Sequence, residues 1–322
     1  MEEKKSGWSF FNKERPDAEA EDTTPTLQYF FKLLWRKAAK LLTLNLMMVF
    51  QVIPLVVALL VYFFGSTTPT VEHAVYAPLL GTYIAGGSPA ASTLLGIFGQ
   101  QLNIPSMTTG RMVVIGIMIA ITVLTWGWQN VGATYNLRSL VRGDSAFLWS
   151  DYFYAIRRNL KQGFLFGLLD LLIIFVLIVD VIFFLPLSAG FGYGLMYGLV
   201  LALLVIYLTM RFYIYPMMIT FDLSIYKLMK NALIFTMLGI KRNVVALLGI
   251  ALVIVLNILA IVGGLSIGFS VPIILPFFYL LALLGFISMY AAYPTIKRYM
   301  IDPYEISDNQ SDSQSATPQA DD

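Results

Sequence analysis

The residues with the most chemical potential in this chain are two aspartates, Asp170 and Asp180, inside one apolar run. A carboxylate in hydrocarbon costs about 3 kcal/mol or more, so it marks a functional position by default. Three chemistries use one there: a proton relay, a cation site, or half of an aspartyl dyad. The dyad fails on geometry. Ten residues of helix set the two about 15 Å apart along the axis and about 80° apart around it. What remains is a proton or cation site, or a hydrogen-bonded tie between helices. The complementary charge is Arg211, in the next apolar run and at comparable depth, so Asp170 and Arg211 are expected to face each other. Asp170, Asp180, Arg211 and Asn257 form the candidate intramembrane polar site. The other intraspan amides, Asn45, Gln51, Gln129 and Asn130, read as glue between helices.

A second group is basic. The stretch "YNLRSLVRGDSAFLWSDYFYAIRRNLKQG", residues 135–163, carries five basic side chains and two acidic ones. Arg138, Arg142, Asp151, Arg157 and Asn159 here, with Asp222, Lys230 and Asn231 further on, are the candidate inner-loop contacts for lipid or a partner. Ser150 and Asp151 are expected to cap a short amphipathic helix starting near 151. Arg142-Gly143-Asp144 reads as turn chemistry rather than an adhesion signal. The two loops echo each other: Asp151, Ile156, Arg157 and Asn159 in one, Asp222, Leu228, Lys230 and Asn231 in the other. The echo stops after the asparagine, because one span follows at once while the other is expected only from Val244. Convergent interfacial helices are the alternative to a repeat.

These side chains must be positioned by membrane helices. Of 322 residues, 58% are hydrophobic and 12% charged, and the mean hydropathy is +0.75. Soluble domains are about half apolar and a quarter charged. Six runs reach the roughly 20 residues needed to cross about 30 Å of hydrocarbon. They lie near 41–64, 112–137, 163–187, 192–217, 244–265 and 272–294. The expected fold is an all-α membrane protein, a six-transmembrane-helix bundle with interfacial amphipathic helices on the cytoplasmic side. Residues 1–26 form an N-terminal segment with no apolar core of a signal peptide, 27–300 the membrane domain, 65–111 an outer loop, and 301–322 a disordered polar tail.

Charge sets the expected orientation. Lys32, Arg36, Lys37, Lys40, Arg138, Arg142, Arg157, Arg158, Lys161, Arg211, Lys227, Lys230, Lys241, Arg242, Lys297 and Arg298 fall on one side, and only Arg111 on the other. By the positive-inside rule both termini are cytoplasmic. The lead-in "LQYFFKLLWRKAAKL" sets Leu27, Phe30, Phe31, Leu34, Trp35 and Ala38 on one helical face and Lys32, Arg36 and Lys40 on another. That pattern lies in the headgroup plane and favours anionic membrane lipids.

Several function classes are disfavoured. There is no cysteine and only one histidine, His73, whose neighbour Glu72 cannot complete a coordination sphere, so no metal site is expected. No P-loop, zinc-protease helix or nucleophile elbow is present, and no enzyme activity or cofactor is expected. A net charge of +2 gives no reason to expect nucleic acid as a partner. The paired-glycine spacings Gly163/Gly167, Gly194/Gly198 and Gly264/Gly268 suit close helix packing.

The opening "GWSFFNKERP" and the following "FFKLLWRKAAKLLTLNLMMVFQVIP" resemble the start of the YesL-like family of bacterial membrane proteins, a domain of unknown function. The inner loop is similar at Tyr135, Arg138, Arg142, Gly143, Asp151, Phe153, Asn159 and Gln162. "RFYIYPMMITFDLSIYKLMKNAL" is similar at Tyr213, Tyr215, Pro216, Phe221, Asp222, Lys230 and Asn231. The resemblance covers roughly residues 7 to 300 and rests on the order of its motifs; it departs at 65–110, where the family has a tighter connection. It implies a multi-pass protein of the bacterial plasma membrane, accessory to carbohydrate uptake, with a sugar import system or another membrane protein as partner. It carries over no catalytic residue. The alternative is a self-standing secondary transporter of a small solute using the buried aspartates.

Overall fold

The structure, a computed structural model, describes residues 25–64, 85–86, 89–90, 107–144 and 146–303. The expectations for the N-terminal segment up to 24, for most of the outer loop with Glu72 and His73, and for the tail from 304 lie outside these residues. Within them every regular element is helical. Six helices are long and apolar enough to span a membrane, which makes this a multi-pass integral membrane protein. They are α2 (Ala38–Phe63), α3 (Thr109–Arg142), α5 (Leu160–Phe184), α6 (Phe191–Thr220), α8 (Ile240–Ser266) and α9 (Pro276–Ile296). Three short helices precede alternate spans: α1 (Leu27–Arg36), α4 (Leu148–Arg158) and α7 (Ile225–Leu238). A 3-10 turn, Val271–Ile273, leads into α9, and a π turn, Lys297–Ile301, continues it.

The element order repeats three times: short helix, one non-helical residue, span, span. The hinge residues are Lys37, Asn159 and Gly239, with φ of −102°, −114° and −89°. Each hinge N–H donates back four residues, to Leu33, Ala155 and Phe235, and each hinge carbonyl accepts from four residues ahead, at Leu41, Gly163 and Asn243. The ladder is carried across the break by the same two bonds in every unit. The delay expected before the fifth span is therefore absent, because α8 begins at Ile240 rather than Val244. What reads in sequence as a two-part echo is two units of a threefold one.

Helix α3 lies at the centre, packed against α2, α4, α5, α6 and α9. Its crossing with α5 needs glycine. A Cβ on Gly127 would sit 1.9 Å from the Gly163 carbonyl oxygen, and one on Gly167 would sit 2.5 Å from the Gly127 Cα. Backbone touches backbone there, as in small-residue packing of membrane helices. The other two glycine pairs do different work. A Cβ on Gly198 meets nothing within 4 Å. Gly268, with φ of 75°, ends the α8 turn while Phe269 N–H donates to Gly264 O at 2.8 Å.

Two amides lock α9 in place. Asn45 donates to Phe277 O at 2.6 Å and accepts from Ala282 N–H at 2.9 Å, so its side chain bridges backbone groups of the facing helix. Asn257 accepts from Tyr279 Oη at 2.8 Å. Most other apolar side chains on the spans face outward, as helices in lipid require.

Helix boundaries explain the remaining differences. The basic stretch at 135–142 is the last two turns of α3, not loop, and Gly143 at φ 85° stops it. Helix α4 starts at Leu148, so Ser150 and Asp151 are not its N-caps. Asp151 instead accepts the Phe147 N–H at 2.8 Å from inside the first turn. In α1 the apolar stripe divides: Phe30 packs on Phe286 and Tyr290, while Leu27, Phe31 and Trp35 face outward, and Leu33, outside the stripe, is fully buried.

Candidate functional site

Asp170 lies one turn beyond Gly167 on α5, where the glycine crossing draws α3 against it, and it is fully buried. The short connection 185–190 folds α6 back alongside α5. Three hydrogen-bond donors and one cation converge on the carboxylate. Oδ1 accepts from Tyr207 Oη at 2.8 Å and lies 3.0 Å from Arg211 Nε. Oδ2 accepts from Trp126 Nε1 at 2.9 Å and from Tyr215 Oη at 2.8 Å. The Arg211 contact is an ion pair without hydrogen-bond alignment, so its strength is Coulombic rather than directional. The guanidinium also stands over two rings, 5.8 Å from Trp126 and 5.9 Å from Tyr215.

A carboxylate offers about four lone-pair positions; three hydrogen bonds use positions on both oxygens, and the guanidinium supplies the opposite charge beside Oδ1. In low dielectric either charge alone would be costly, whereas the satisfied pair fixes the register of three helices.

Asp170 and Arg211 are the two members of the candidate polar site that meet. Asp180 is half-buried further along α5 and makes no hydrogen bond or ion pair with the described residues. Asn257 belongs to the α8–α9 contact with Tyr279 and to its own helix through Val253 O.

Three partners of Asp170 were not among the sequence candidates. The signal for two of them is visible: Tyr207, Arg211 and Tyr215 recur every four residues, which stacks them on one face of α6. Trp126 has no such pattern, and only the α3–α5 crossing brings its indole to Asp170.

Beside this network is a cavity of about 330 Å³ to which all three units contribute, through Met48, Asn130 and Thr134, Arg211 and Tyr215, and Leu247 and Ser288. Arg211 keeps 23% of its side chain exposed and forms part of that wall.

The inner-loop candidates separate. Arg138 donates to Thr220 Oγ1 at 2.7 Å and stands over the Tyr135 ring, tying α3 to the end of α6. Arg142 pairs with the adjacent Asp144 at 3.2 Å, on the surface. Asn159 bonds Ala155 O at the hinge. Arg157, Asp222 and Lys230 are exposed and Asn231 half-buried. Among the described residues, no hydrogen bond or ion pair joins Asp151, Arg157 or Asn159 to Asp222, Lys230 or Asn231. A contact not foreseen is Asn136, whose amide donates to Leu148 O at 2.8 Å and anchors α4 to α3. Another is Gln162, which donates to Leu223 O and ties α5 to the chain leaving α6.

Comparison with known proteins brings in no relative: no family model, curated protein or solved structure matches the chain.

Proposed function

We propose that this is a non-enzymatic membrane protein acting as an accessory or regulatory component, associated with carbohydrate uptake as the YesL-like resemblance implies. The observation that carries the accessory reading is the engagement of Asp170 by three hydrogen bonds, from Tyr207, Trp126 and Tyr215, and by the Arg211 ion pair. An ion-coupled carrier needs a buried carboxylate that gains and loses a proton or cation. Here the most buried carboxylate serves as a fixed tie between α3, α5 and α6. The basic side of the bundle, with its three short helices, is the surface available to a partner.

The test is purification of the full chain in its native lipids, followed by mass spectrometry of what accompanies it. A stoichiometric transporter subunit is the expected result. The cavity of about 330 Å³ favours a second reading, transport of a small solute by the protein alone. Solute flux in liposomes containing only this protein would replace the first reading with the second.

A further inference from the structure

The three units differ in what covers the hinge. In the first, the chain leaving α3 folds back over it. Lys37 Nζ donates to Gly143 O at 3.2 Å and Asp144 O at 3.3 Å, and Lys40 Nζ to Ala146 O at 3.4 Å. In the second, Leu223 O on the chain leaving α6 accepts from Gln162. In the third, the hinge Gly239 is followed by Lys241 and Arg242, and the π turn after α9 brings up Arg298, another cation, in place of a carbonyl acceptor. The result is a cavity of about 280 Å³ lined by these three cations, with Thr295 and Tyr299 adding hydroxyls.

Among the described residues no carboxylate pairs with Lys241, Arg242 or Arg298. Three like charges around one concavity repel each other, and an anion between them relieves that repulsion. The backbone adds to the field. Asn243 Nδ2 donates to Thr236 O at 3.0 Å, taking the carbonyl that Ile240 N–H would use in an unbroken helix, and Tyr213 Oη holds Asn243 Oδ1 at 2.7 Å. Gly239 and Ile240, at the positive end of the α8 dipole, line the same cavity.

We propose that this cavity binds a phosphate-bearing anion. Two guanidinium forks and an ammonium suit a phosphomonoester, whose three acceptor oxygens share up to two negative charges, better than a single carboxylate. A lipid headgroup at the membrane surface and a soluble phosphate present the same chemistry.

The experiment uses the full chain in phosphatidylcholine nanodiscs with and without phosphatidic acid, read by native mass spectrometry, and titration of the same discs with inorganic phosphate by calorimetry. The pocket variant is Lys241→Gln with Arg298→Gln. The control is Lys161→Gln with Lys227→Gln, exposed cations on α5 and α7. The pocket variant is expected to weaken binding at least about tenfold and the control less than about twofold. Retention of phosphatidic acid alone assigns the lipid source, and binding of inorganic phosphate assigns the soluble one. If neither binds, or both variant pairs weaken binding equally, the proposal is overturned. Should the double variant fail to fold, Lys241→Gln alone is read in its place, with about a threefold loss expected.

Discussion

The Nε of Arg211 stands 3.0 Å from Oδ1 of Asp170, and two tyrosine hydroxyls and an indole N–H donate to the same carboxylate. Removing one charge strands the other in a medium that cannot solvate it. Asp170→Asn and Arg211→Gln are each expected to destabilise the bundle by about 3–5 kcal/mol. The double change should cost less than the sum, with a coupling of about 1–3 kcal/mol. Thermal unfolding in detergent of the two singles and the double measures this. Strict additivity would show that the two side chains do not interact.

Gly127 makes a sharper steric prediction. Its absent Cβ is 1.9 Å from the Gly163 oxygen, and that oxygen is backbone, so nothing can rotate away. Gly127→Ala is expected to pry α3 from α5, break the Trp126–Asp170 bond and lower the yield of folded protein sharply. Gly198→Ala, where the added carbon meets nothing within 4 Å, should leave the melting temperature unchanged. Equal behaviour of the two variants would remove the crossing from the account.

How much of this is legible in sequence depends on the range of the force involved. The spans are, because length and apolarity are local properties set by bilayer thickness. Asp170 with Arg211 is, because two opposite charges at matched depth in hydrocarbon have few other solutions. The three uncharged donors are harder, since a tyrosine or tryptophan in a span has a dozen uses and only the crossing selects one. Gly127 is hidden for a related reason: it has no glycine four residues away, and its partners, Gly163 and Gly167, sit on another helix. The third hinge is masked by its own charges, because Lys241 and Arg242 read as loop although the helix has already begun at Ile240.

Tyr152 gives a pH dependence outside the spans. Its ring is buried on α4 against Met47 and Ala133, and burial raises its hydroxyl above the ordinary value of 10.0. The folded state therefore holds the proton more tightly than the unfolded chain. The resulting stability is complete below pH 10 and is lost as pH rises above it, since the unfolded tyrosine ionises first. Docking of α4, followed by the fluorescence of the neighbouring Trp149, should loosen in that alkaline window. Tyr152→Phe keeps the ring and removes the proton, so it should fold normally and lose this part of the alkaline sensitivity. An unchanged alkaline profile in the variant would assign the transition to another group.

Asn45 is the last test, and it separates a polar tie from mere packing. Its amide accepts from Ala282 N–H and donates to Phe277 O, serving as a substitute peptide group between α2 and α9. Asn45→Leu fills nearly the same volume but leaves both backbone groups without that partner in a buried setting. An unpaired buried group costs about 1–3 kcal/mol, so a loss of roughly that size is expected. Asn257→Leu removes a bond to the Tyr279 hydroxyl, which can turn to another acceptor, so a smaller loss is expected. Hydrogen exchange discriminates further: in Asn45→Leu, protection should fall selectively near Ala282. A stable Asn45→Leu variant with unchanged exchange there would mean that α9 is held by its apolar contacts alone.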